Sequence, residues 1–238
     1  MSLYWLFLFC TVAYLIGNLN PALYISHKRK FDITKQGSGN PGSMNILRQF
    51  GVKWGALCLV LDALKSAIPA MIAFFFYGGA IYLSDNTSPT YSYIALYAVG
   101  LAVVLGHCFP IARGFRHGGK GFASMIGVFM VAHPFISLGA VVVMVAYIAI
   151  FEYGAMGSFI YITFMVAYAA LQSFNEYNIA VHILLLAFYF LMWFTHRTNI
   201  TRLIIGKENS VMLFKSIHRK RQKKRHERWL QSIKEEKL

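Results

Sequence analysis

Apolar and polar positions divide the chain into long hydrophobic runs separated by short hydrophilic stretches. Runs able to cross a hydrocarbon core about 30 Å thick, each needing roughly 20 residues, recur from the first residues to about Phe194. They predict about seven transmembrane helices, at 3–25, 54–77, 91–110, 122–135, 136–152, 157–174 and 179–195. The fourth is short and runs from "HGGKGFAS" to "AHPF", which predicts a tilted, broken or partly buried helix rather than a clean crossing. The fold class that follows is all-α and integral to a membrane.

Composition agrees, since only 13% of the 238 residues are charged, against roughly 25% in an ordinary soluble domain. Charge also orients the chain, because basic loops are retained on the cytoplasmic side. Of 23 basic residues, six lie in 26–53, three in 111–121 and thirteen after Thr195, whereas 78–90 and 172–178 have none. Seven spans with the N-terminus outside and the C-terminus cytoplasmic put every basic segment on one face. The first run has no positively charged start and no small-residue cleavage site, so it reads as a retained helix. Two regions are expected: a membrane domain over 1–214 and a basic cytoplasmic tail over 215–238. Cys10, Cys58 and Cys108 lack paired spacing and read as buried small hydrophobes.

Three polar segments fall on the basic face. In "GSGNPGSMNILR" (37–48) the glycines leave backbone N–H groups free to be presented ahead of a helix start near Ser43, an arrangement suited to anions. Ser38, Asn40 and Asn45 add neutral donors, and Arg48 adds a planar fork for phosphate or carboxylate. In "GHCFPIARGFRHGGKGFAS" (106–124), Gly114, Gly119 and Lys120 have the spacing of a phosphate-binding P-loop, but Gly121 stands where that loop needs a hydroxyl for magnesium. What remains is a lysine among Gly118, Gly119 and Gly121, with no bulky neighbour to keep an anion away. In "THRTNITRLIIGKEN" (195–209), His196, Asn199 and Arg202 follow at intervals of three and would line one helix face.

Other signals carry less. "HKRKFD" has an H-x-x-x-x-D spacing, but its three basic residues mark a membrane anchor. His133 and His182 read as packed span residues. Asp62 and Lys65, three apart inside a span, read as a structural ion pair. No grouping of His, Asp, Glu or Cys has metal-ligand spacing, and no cofactor is expected.

Together the three segments resemble the bacterial acyl-phosphate:glycerol-3-phosphate acyltransferases, the PlsY family, which share "GSGNPGxxNxxR", "GHxFP…GGKG" and "HRxNIxRLxxGxE". These patterns fall on Gly37 to Arg48, Gly106 to Gly121 and His196 to Glu208, with "LDALK" at 61–65 also matching. Met44, Ala155 and His117 depart from the family pattern. The resemblance implies an inner-membrane enzyme that moves a fatty acyl group from acyl phosphate to the 1-hydroxyl of glycerol 3-phosphate, giving lysophosphatidic acid. It also implies catalytic roles for Ser38, Arg48, Lys120, His196 and Asn199. Gly37, Gly39, Asn40, Asn45, His107, Gly118, Gly119, Gly121 and Ser158 are expected to bind substrate. Amides near Gly118 to Lys120 are candidates to stabilise a carbonyl oxyanion. The tail, net +7 over 215–238, is expected to contact anionic lipid rather than nucleic acid. An anion transporter is the rival class, which the clustering of donors at one surface disfavours.

Overall fold

The computed structural model describes residues 2–79, 90–174 and 178–211, and every regular element in them is helical. In chain order these are α1 (Leu3–Gly17), α2 (Pro21–Lys28), α3 (Ser43–Phe50), α4 (Val52–Phe76), α5 (Thr90–Cys108) and α6 (Phe122–Ala132). Then follow α7 (Pro134–Phe151), α8 (Gly154–Gln172), α9 (Ile179–Thr195) and α10 (Arg197–Ile204). The basic tail of 215–238 lies outside the described residues.

Local chemistry sets the breaks. Asn20 accepts a hydrogen bond from the Leu23 N–H at 3.1 Å, and Pro21 opens α2, so the first predicted span is two helices joined at Asn18–Asn20. Gly51, at φ +87°, separates α3 from α4 in a conformation that favours glycine.

Small residues let the long helices approach closely. A Cβ on Gly17 would strike the Val103 carbonyl, and one on Gly106 the Tyr14 carbonyl, so α1 and α5 touch backbone to backbone. Where α4 meets α6, Gly127 lies against the Ala63 carbonyl. Ser66 Oγ donates to the Ser124 carbonyl at 2.5 Å, and Ser124 Oγ donates to the Asp62 carbonyl at 3.1 Å. The interior behind these contacts is aromatic, with Tyr97, Phe129, Tyr161 and Phe188 fully buried. The outer surface is apolar too: Phe7, Val142, Val143, Ile150, Phe164 and Phe190 all point outward. A lipid bilayer is the solvent that tolerates such a surface.

Among the described residues, five segments are long and apolar enough to cross, and a sixth qualifies if α9 and α10, bent by 55° at their junction, count as one. Seven were predicted from the sequence. The difference lies in the fourth, which is the 11-residue α6, roughly 16 Å long at 1.5 Å per residue and too short to cross alone. It begins after Gly121 at φ +79° and stops at His133, beyond which Pro134 starts α7. Nearly all of α6 is buried, so its neighbours in the bundle surround it rather than lipid.

Candidate active site

The first polar loop is shaped by one side chain. Asn45 is 1% exposed, and its Nδ2 lies 3.0–3.2 Å from the carbonyls of Gln36, Asn40 and Ile33, while Oδ1 accepts from the Ser38 N–H at 3.4 Å. These bonds fold the loop around the first turn of α3. Gly37 and Gly39 take φ of +59° and +70°, and a Cβ on Gly37 would collide with Asn45 Oδ1. Asn45 therefore organises the loop, leaving Ser38 and Asn40 to face the pocket.

The second loop is held by close backbone contact. A Cβ on Gly118 would overlap the Cys108 carbonyl, and the Gly119 N–H donates to the His107 carbonyl at 3.1 Å. That amide, one of those predicted to hold an oxyanion, is thus committed to the protein. Lys120 follows, its carbonyl accepting from Thr195 Oγ1 at 3.1 Å.

The third segment meets the second through side chains. Lys120 Nζ donates to Asn199 Oδ1. Asn199 Nδ2 donates to Glu208 Oε1 at 2.6 Å, and Arg202 Nε reaches Glu208 Oε2 at 3.2 Å. Arg48 completes the set, donating from Nε to the Ser210 carbonyl at 3.3 Å and from Nη2 to the Asn209 carbonyl at 3.0 Å. His196 Nδ1 lies 3.1 Å from the Met192 carbonyl, so that nitrogen carries the proton and donates. Ser158 Oγ donates to the Gly154 carbonyl at 3.0 Å.

One pocket gathers these groups. Of the predicted residues, Ser38, Asn40, Asn45, Arg48, His107, Lys120, Gly121, Ser158, His196 and Asn199 line it. Gly37 and Gly39 stand behind them as turn residues, and Gly118 and Gly119 as points of close approach. The helix starts at Ser43 of α3, Phe122 of α6 and Gly154 of α8, and His196 ahead of α10, all reach the same space. Unpaired amides and the positive ends of helix dipoles therefore converge there. Within the side-chain network three cations, Arg48, Lys120 and Arg202, face one carboxylate, Glu208. Burial, with Arg202 and Arg48 adding repulsion against the pull of Glu208, pushes the Lys120 ammonium down to about 8.

Sequence reasoning passed over Glu208, although it closes the third motif, and read Asp62 as paired only with Lys65. Both line the pocket. Asp62 sits ten residues along α4 from Val52, roughly 15 Å down the helix axis, so the pocket is recessed rather than a surface patch. Among the described residues no group of three or more His, Cys, Asp or Glu could hold a metal ion.

A lipid-facing helical shell around a recessed, cation-rich pocket defines a multi-pass membrane protein whose polar site opens toward one end. Residues 7–206 match the family model described as glycerol-3-phosphate acyltransferase, and the chain belongs to that family. The glycerol-3-phosphate acyltransferase of Thermoanaerobacter pseudethanolicus is 38% identical over 203 residues, covering 84% of this chain and 92% of that protein. The one from Clostridioides difficile is 33% identical over 213 residues, covering 89% and 98%. Among solved structures, PlsY (YgiH), described as an integral membrane glycerol 3-phosphate acyltransferase, superposes in its glycerol 3-phosphate form with a TM-score of 0.76. The two are 29% identical, over 89% of this chain and 98% of that one. Its lysophosphatidic acid form gives 0.73 at 30% identity, over 88% and 96%.

Proposed function

We propose that this protein transfers a fatty acyl group from acyl phosphate to the 1-hydroxyl of glycerol 3-phosphate, releasing inorganic phosphate and lysophosphatidic acid. The observation that carries this reading is the charge of the pocket. Arg48, Lys120 and the Glu208-bound Arg202 stand against Glu208, and the Asp62 carboxylate is balanced by Lys65, which leaves an excess of two positive charges; a phosphate monoester brings roughly −1.5 to −2 at neutral pH. The convergent helix starts add to the same field.

The chemistry asks little more than placement. Acyl phosphate is a mixed anhydride whose phosphate leaves readily. The acceptor hydroxyl oxygen bonds to the carbonyl carbon, the bond from that carbon to the phosphate oxygen breaks, and the hydroxyl proton passes to a phosphate oxygen. Holding the two substrates in contact supplies the main acceleration. Arg48 and Lys120 neutralise phosphate charge, and Ser38, Asn40, His196 and Asn199 hydrogen-bond and orient it. In this reading no metal takes part, so a chelator is expected to leave turnover unchanged.

The topology proposed with it has seven passes, the short α6 making its pass inside the bundle, where its neighbours rather than lipid surround it. The N-terminus is outside, and the pocket and C-terminus face the cytoplasm of a bacterial inner membrane. The one-sided distribution of basic residues supports it. The recess of the pocket among broken helices is the one feature that favours an anion transporter instead. Purified protein in detergent decides between them: the acyltransferase forms lysophosphatidic acid and phosphate in equal amounts from the two substrates. Detergent solution has no second compartment, so a transporter would form neither.

A further inference from the structure

His107 lines the pocket at 5% exposure, and the resemblance expects it to bind substrate without saying which ring nitrogen would do so or in which tautomer. Its Nδ1 lies 2.6 Å from Lys65 Nζ and 3.4 Å from Asp62 Oδ1. An ammonium has only protons to offer. Nδ1 must then accept, because an N–H there would face an N–H at that distance. Lys65 is itself fully engaged: besides His107 it reaches Asp62 Oδ1 at 2.8 Å, the Leu19 carbonyl at 2.6 Å and the Gly17 carbonyl at 3.3 Å. Its ammonium has no freedom to turn away.

A neutral imidazole that accepts at Nδ1 carries its proton on Nε2. Nε2 has no hydrogen-bond partner among the described residues, and it stands where a side chain on Gly119 would be: any Cβ there would collide with it. The Gly119 N–H is tied to the His107 carbonyl, one residue before Lys120. The ring thus brings a proton donor to the glycine-rich turn of the pocket, and a nitrogen that already carries its proton cannot act as a base.

We propose that Lys65 is a positioning residue that locks His107 as the neutral Nε2–H tautomer, and that this N–H donates to an anionic oxygen of the bound substrates. That oxygen belongs either to the phosphate of the acceptor or to the acyl carbonyl as it gains charge. The inference rests on the acyl-transfer reading of the same pocket.

The lock is tested on the unmodified full-length protein in detergent, labelled with 15N-histidine. The His107 signals are assigned by their loss, among eight histidines, in His107→Gln. Nitrogen shifts of a neutral ring protonated at Nε2 are expected near neutral pH; an Nδ1–H ring or an imidazolium overturns the proposal. Kinetics test the donor. His107→Gln returns an N–H close to the Nε2 position, and His107→Phe keeps a ring without one. The phenylalanine variant should lose about 100-fold in kcat/KM and the glutamine variant less than about 10-fold. A loss appearing in KM for glycerol 3-phosphate assigns the N–H to the phosphate, and a loss in kcat assigns it to the carbonyl oxygen. Equal activity of the two variants overturns the donor role. Lys65→Met should move the proton to Nδ1, facing Asp62, and reproduce the phenylalanine defect in whichever parameter that variant shows it. If the unmodified protein makes no lysophosphatidic acid, the acyl-transfer reading fails, and the nitrogen spectrum still decides whether the lock exists.

Discussion

Two polar clusters reach the same pocket under opposite charge rules. Arg48, Lys120, Arg202 and Glu208 hold three cations against one carboxylate, whereas Asp62 and Lys65 balance one against one around a neutral His107. The first is drawn from α3, α10 and two loops, so its members depend on long-range folding to meet. The second sits on two long helices, α4 and α5. A balanced buried cluster is complete within the protein, and removing one partner leaves a charge stranded. An unbalanced one is completed by a ligand, and the empty protein bears the repulsion.

The largest consequence concerns Lys120. Lys120→Met should lower turnover by about 1,000-fold, near the upper end for losing one preorganised donor. The same change relieves repulsion from Arg202 and Arg48, so the thermal midpoint of the empty protein should hold or rise. Loss of activity together with a lower midpoint would place Lys120 in the structural class and erase the distinction between the clusters. Arg48→Ala should also abolish turnover, but with some loss of stability, because its fork holds the Asn209 and Ser210 carbonyls.

Asp62 should behave in the opposite way. Asp62→Ala strands a buried ammonium, which typically costs about 3 kcal/mol. Adding Lys65→Met should recover most of it, because both charges then leave together. Thermal unfolding of the two single variants and the double variant gives the coupling directly. Additive losses would mean that the pair is not interacting.

The pH dependence of acceptor binding sharpens the contrast further. Lys120 is cationic below about 8, and a phosphate monoester becomes a dianion above a pKa of about 6. KM for glycerol 3-phosphate should therefore be lowest between those values. Above the upper one it should rise as the lysine loses its proton, by up to about tenfold per pH unit. Lys120→Arg should remove the upper limb, because a guanidinium keeps its charge. An upper limb that survives this change assigns the titration to another group.

The sequence disclosed the unbalanced cluster better than the balanced one, for a physical reason. Loops that must present amides and cations to an anion are written in glycine, asparagine and basic residues, which stand out between apolar runs. Ser38, Lys120 and Asn199 stood out on that ground, and the fold brings all three to one pocket. Asp62 and His107 lie in helices, 45 positions apart, and no local periodicity reports that α4 and α5 bring them within 3.4 Å. Asn45 looked like a ligand donor because its chemistry is the same whether it bonds substrate or its own loop. The short α6 was legible as a tilted, broken or partly buried helix over 122–135, but its burial was not separable from lipid contact, because both call for apolar residues. Glu208 was visible as a letter in a motif. Its task, holding Asn199 and Arg202 in one network, depends on a tertiary contact.

The smallest effect is expected from the basic tail. Its net charge of +7 over 215–238 is half of the chain's +14, yet the segment that completes the pocket ends before it. Glu208 bonds Asn199, and the Val211 N–H donates to the Glu152 carbonyl at 2.7 Å, anchoring the chain beside the start of α8. Truncation after residue 214 preserves these contacts and leaves the excess positive charge of the pocket as it was. In detergent kcat should therefore stay within about twofold, a change in the barrier of less than about 0.5 kcal/mol. In mixed bilayers the truncated protein should lose its preference for anionic over zwitterionic lipid, because each basic residue near such a surface contributes about 1 kcal/mol. Inactivation in detergent would mean that the tail takes part in the pocket, and its charge would then have to be counted with Arg48, Lys120 and Arg202.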